Sequence, residues 1–157
     1  MAFPKPTSDN AYLAPHAALL IASYKRATGQ NLVQKKLTDE AKARALFEAP
    51  YGVVSHNTDA DPIFNYGNLT ALKVFELDWA AFTQLPSRES AGPMNRAERE
   101  QLLSEVNRRG FMDDYRGERV SAKGRRFYIE NATIWNLLDA SGNYCGQAAV
   151  FYKWPNL

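Results

Sequence analysis

Cysteine is almost missing from this 157-residue chain: Cys145 stands alone, so no intramolecular disulfide can form. A lone cysteine beside a strand reads as a small, buried or half-buried side chain. Histidine is nearly as scarce, and His16, His56 and Cys145 show no metal-ligand spacing. No apolar run approaches the roughly 18 residues of a membrane span, and the opening "MAFPKPTSDN" has no signal-peptide core. The cytoplasm is therefore the expected location, with no membrane partner. An excess of one charge is absent too: a formal net charge of +2 is too small to recruit nucleic acid or lipid electrostatically. "KGRR" (Lys123 to Arg126) and the nearby "RGER" read as solvated turn charges, so a nucleic-acid partner is not expected. Nucleophile-elbow and phosphate-loop patterns are absent. Asp113 and Asp114 are adjacent, and on a strand they point to opposite faces, which suits ion pairing better than a catalytic dyad.

What remains is an ordinary globular composition. With 45% hydrophobic and 23% charged residues, a chain of this length can bury a core without staples, as a single domain. Residues 1–10 are polar and proline-rich and read as a frayed tail. "PHAALLIASYKRATG" has helical spacing at Leu20, Tyr24 and Ala27 and ends at Gly29. "TDEAKARALFEAP" reads as a second helix, capped by Thr38 and stopped by Pro50. "YGVVSH" and "PIFNY" flank the turn-rich "NTDAD" and form a hairpin. Asn68 caps "LTALKVFE" and Asp78 caps "WAAFTQL". "NRAEREQLLSEVNRRG" is the strongest helix, with a capping box at Asn95 and Glu98 and a buried stripe of Leu102, Leu103 and Val106. Three strands follow, joined by the turns "SAKG" and "DASG" into a meander. Helices thus sit inside a 2 + 3 split of strands. The expected class is α+β: a five-stranded antiparallel sheet with helices on one face, behind an N-terminal helical segment at 1–50.

The stretches "VVSHNTDADPIFNYGN", "LPSR", "DDYRGERVS", "GRRFYIENATIWNL" and "GQAAVF", spread over about two thirds of the chain, carry a resemblance. Residues 51–154 resemble a PAS domain, with Asn68 as its strand–helix joint and Gly124 to Phe127 and Asp139 to Gly142 as its turns. More specifically, the pattern resembles the PAS-like MEKHLA family, and the domain is expected over 51–157. The resemblance implies a sensing or binding role and supplies no ligand. "PSRESAGP" is similar to the flavin-binding loop of photosensory LOV domains, with Ser87 where the photoactive cysteine would stand. Pro86 and Ala91 replace the expected Asn and Gln. A hydroxyl cannot perform the thiol's photochemistry, which argues against a LOV-type photoactive flavin. Non-covalent flavin and haem are minor alternatives, with His56 the better haem ligand of the two histidines.

Strict alternation along "RFYIENATIWNLL" places Phe127, Ile129, Asn131, Thr133 and Trp135 on one face. Under the PAS resemblance that face meets the helices. Tyr115 and Arg119 then join it from the preceding strand, and Ala148 and Val150 from the last. The expected site therefore has Tyr115, Arg119, Asn131 and Thr133 holding a small polar or anionic ligand. Phe127 and Trp135 supply its apolar wall, and Ala148 leaves room. An inward Arg suits a carboxylate or phosphate. The alternative is an internally satisfied core in which Arg119 pairs with Asp113 or Asp114. Three functional readings follow: a stand-alone sensor signalling through a protein partner or homodimer, a ligand-free interaction or dimerisation module, and an enzyme using the same pocket. The sensor is preferred, with no kinase or DNA-binding region in the chain and the N-terminal helices as lid or dimer surface.

Overall fold

The computed structural model describes residues 3–91 and 96–157. Helices α1 (Ala14–Thr28) and α2 (Asp39–Phe47) precede the hairpin β1 (Gly52–His56) and β2 (Phe64–Gly67). Then come α3 (Leu69–Phe75), α4 (Trp79–Phe82) and α5 (Arg96–Arg109), and the meander β3 (Phe111–Val120), β4 (Arg126–Leu138) and β5 (Tyr144–Phe151). The strands form one antiparallel sheet in the order β2-β1-β5-β4-β3. The hairpin and meander are joined through β1 and β5, so β2 and β3 are the edges.

Local chemistry sets these elements where the sequence places them. Thr38, Asn68 and Asp78 each accept a first-turn backbone N–H, from Ala41, Ala71 and Ala81 respectively. Gly29 and Gly110 end α1 and α5 with positive φ (78° and 83°). Asn68 does more than cap. Its fully buried amide also accepts from Val53 N–H and donates to Leu46 O and Tyr51 O, at 2.8–3.0 Å, so it ties α2, β1 and α3 together. Gly52 faces the Phe151 ring, and a side chain there would collide with it.

Both faces of the sheet are covered. On one, Phe64, Phe75, Phe82, Phe127 and Phe151 interlock with ring centroids 4.3–6.4 Å apart, joining α3 and α4 to the strands. On the other lies α1. Its Tyr24 meets Trp135 edge-on at 4.9 Å, and its Ser23 hydroxyl donates to Leu138 O and accepts from Leu138 N–H. Leu20 of α1 and Val53 of β1 are fully buried.

Two local expectations change. The N-terminal segment is packed rather than frayed: Trp79 Nε1 donates to Phe3 O at 2.8 Å, and the Phe3 ring lies 5.0 Å from His16. A 3-10 turn over Ser8–Leu13 then enters α1 through left-handed Ala11, Tyr12 and Leu13. In α5, Val106 is buried and Leu102 packs on the core, whereas Leu103 is 45% exposed because it falls outside the stripe facing the sheet. The capping box proposed from Asn95 lies outside the described residues.

Candidate functional site

The expected binding face is divided by a pair of bulges. Asn131 in β4 and Asp114 in β3 both adopt left-handed backbone (φ 52° and 53°), and the β3–β4 register slips between Met112 and Tyr115 and again between Tyr115 and Gly117. An extra residue inverts the alternation beyond it. Phe127 therefore faces Phe75 of α3, while Trp135 faces Tyr24 of α1. Thr133 and Trp135 pair with Val150 and Ala148, which pair with Val53 and Ser55 beneath α1. Asn131 itself is exposed. The eight expected site residues thus split. Tyr115, Arg119 and Phe127 share the face of α3 and α5. Thr133, Trp135, Ala148 and Val150 are core under α1, and Asn131 turns to solvent.

Tyr115 and Arg119 are brought together. The Tyr115 hydroxyl and Arg119 Nη1 lie 2.5 and 2.7 Å from the point a Gly117 Cβ would occupy, so they are at most about 5 Å apart. Tyr115 is 8% exposed, and its hydroxyl is buried without a hydrogen-bond partner among the described residues. Tyr115 and Gly117 line an open hollow of about 460 Å³ between α5 (Glu98, Gln101, Leu102) and β3 (Met112, Asp114, Arg116, Glu118). That size lies within the usual range for small-molecule sites. The expected Arg119 pairing with Asp113 or Asp114 does not form. Asp113 pairs with Arg109 at 3.6 Å, and Arg119 donates to Glu118 O at 2.8 Å and lies over the Tyr115 ring. Arg116 is committed to Glu130 at 2.9 Å and to the Tyr128 ring, and Glu118 to Arg126.

A second polar cluster, which the sequence did not single out, lies under α1. His16 is 8% exposed, and its Nε2 is 3.0 Å from the Ser55 hydroxyl, which donates to Asn65 Oδ1 at 2.5 Å. The Ser55 oxygen is thus left to accept from His16 Nε2–H. Burial pushes the imidazole pKa down to about 4. Ser55 is 1% exposed and its proton is given to Asn65, so the pair is an interior contact between α1 and β1. Nearby, the Tyr66 hydroxyl is buried without a partner among the described residues, and burial raises its pKa. His56, the candidate haem ligand, is half-buried with Nδ1 2.8 Å from Asn57 O. Ser87 opens the 3-10 turn Ser87–Ser90, held by its N–H to Pro62 O and by the Arg88–Asp61 ion pair. Among the described residues there is no cluster of three or more His, Cys, Asp or Glu suited to a metal, and no helix long and apolar enough to cross a membrane.

Strand order 2-1-5-4-3, short helices after an asparagine joint, and a longer helix leading into a meander define a PAS-like fold. Solved structures agree. A PAS domain from Colwellia psychrerythraea is similar at 12% identity and TM-score 0.61, over 75% of this chain and 95% of that one. A light-oxygen-voltage domain studied with a flavin analogue matches at 17% identity and TM-score 0.57, covering 74% and 84%. An RNA-binding light-oxygen-voltage receptor matches at 15% identity and TM-score 0.63, over 78% of this chain and 34% of that one. At such identities the likeness shows the fold alone. No curated protein sequence matches significantly. The MEKHLA domain model matches residues 14–156, and the chain belongs to that family.

Proposed function

We propose that this protein is a PAS-like sensor module that binds a small molecule between β3 and α5 and passes its state to a protein partner or a second copy of itself. One observation carries the reading. The Tyr115 hydroxyl, a group that normally has a partner when buried, has none among the described residues, and its side chain lines a hollow of ligand size. Family membership supports a sensor-type domain. The ligand sits at the Tyr115–Arg119 end of the expected site, and action in the cytoplasm remains part of the proposal. No catalytic role is proposed.

A second reading, a ligand-free interaction module, is favoured by the phenylalanine cluster that fills the space under α3 and α4. Native mass spectrometry of freshly purified protein, with an absorption spectrum and a denatured control, separates the two. A reproducible extra mass that is lost on denaturation and reduced in Tyr115→Phe supports the sensor. A bare mass that stays bare when purification is repeated from concentrated lysate favours the interaction module.

A further inference from the structure

The charges around the β3–α5 hollow oppose the anion expected from the sequence. The lining carries the carboxylates of Glu98, Asp114 and Glu118 and a single guanidinium, that of Arg116; Arg119 is not part of it. Arg116 is paired with Glu130 and Glu118 with Arg126, and these two pairs cancel. Asp114 is exposed on its bulge and forms no ion pair with a described residue, so its carboxylate remains for a ligand. Tyr115 is an independent sign of a missing partner. Its side chain is 8% exposed, and its hydroxyl is unpaired among the described residues. That hydroxyl lies 2.5 Å from the point a Gly117 Cβ would occupy, and both residues line the hollow, so it is held in the wall toward α5. A phenolic oxygen can accept as well as donate. Leu102 and Met112 add apolar wall. A metal ion is less suited than an organic cation, since the described residues hold no cluster of three or more metal-ligating side chains.

Resting on the small-molecule reading above, we propose that the hollow recognises a small organic amine in its ammonium form. Asp114 balances the charge and accepts one N–H, the Tyr115 hydroxyl accepts another, and Leu102 and Met112 cover the carbon chain. Charge-assisted bonds of this kind are stronger than neutral ones. Glu98 and Glu118 add a potential that favours a cation over a neutral molecule of the same shape.

The test is a nuclear magnetic resonance titration of the full chain with putrescine, butanediol and succinate, probes of equal carbon-chain length that differ in charge, at ionic strength held constant with sodium chloride. The expected result is a saturable shift of the Asp114 and Tyr115 amides with putrescine, about tenfold tighter than with butanediol and absent with succinate. In Asp114→Asn, which keeps a side chain that tolerates the left-handed bulge, the putrescine affinity should fall about tenfold with resonances elsewhere unchanged. Tyr115→Phe should weaken it as well, and decides the matter if Asp114→Asn does not fold. No saturable shift with putrescine, an equal response to butanediol, a tighter response to succinate, or an unchanged affinity in the folded variant overturns the proposal. A bound mass in the native spectrum without a putrescine response would leave the sensor reading standing and remove the amine. A putrescine response from a protein that carries no bound mass would support the amine site and not the sensor.

Discussion

His16 shows how one buried side chain makes stability depend on pH. Its neighbours are the Ser55 hydroxyl on β1, the Tyr66 ring on β2 and the Phe3 ring on the N-terminal segment; none is a carboxylate that could stabilise an imidazolium. Burial depresses the folded-state pKa to about 4 from 6.5. Between those values the unfolded chain binds a proton that the folded chain does not. This contribution is therefore complete above the unfolded pKa and is lost as pH falls toward the folded one. From pH 7.5 to pH 5 the loss is about 2 kcal/mol. Urea denaturation at both pH values should show that difference in the wild type and a smaller one in His16→Gln. Equal pH dependence in the two proteins would show that the imidazole is not desolvated in this way.

At the scale of elements, the paired bulges of β3 and β4 decide which residues meet. Asn131 and Asp114 are side chains that tolerate left-handed backbone better than most, and each sits where its strand gains a residue. Asn131→Gly should be close to neutral, whereas Asn131→Val should cost about 1–2 kcal/mol more, because a β-branched side chain opposes positive φ. Thermal unfolding of the two variants checks this, and equal midpoints would show that the left-handed turn is not required. The β3–β4 turn is a second device at this scale. Arg125 is no solvated turn charge: it donates to Val74 O at 2.6 Å and Asn156 Oδ1 at 2.7 Å and lies over the Phe127 ring. It locks the turn against the end of α3 and the C-terminal residues.

For the whole molecule, the question is whether the N-terminal helices are separable from the sheet. The Tyr24–Trp135 contact, the Ser23–Leu138 bonds and the His16–Ser55 bond all cross between α1 and the strands. Removing residues 1–50 would uncover Val53, Trp135, Leu137 and Val150, each wholly buried in the full chain. An exposed apolar face of that kind drives association. Chain 51–157 is expected to aggregate or to lose its dispersed amide spectrum, as size-exclusion chromatography and a two-dimensional nitrogen–proton spectrum would show. A monomeric, dispersed spectrum would show that the helices are an optional cover.

The resemblance to the PAS-like family pointed to the fold class, and the sequence by itself determined the element order, the three helix caps and the two hairpin turns. Each rests on short-range chemistry: a capping oxygen near the first-turn N–H groups, a glycine at positive φ, or apolar residues at a local period. It also placed Tyr115 and Arg119 on one face of their strand, where the two side chains lie together. Tertiary structure alone decided how the remaining site residues are distributed. Alternation can be counted along a strand only while no residue is inserted, and the bulge at Asn131 sent Trp135 and Thr133 to the face opposite Phe127. The same limit applies to His16 and Ser55. They are 39 positions apart, no periodicity links them, and only the docking of α1 on the sheet brings the imidazole to the hydroxyl.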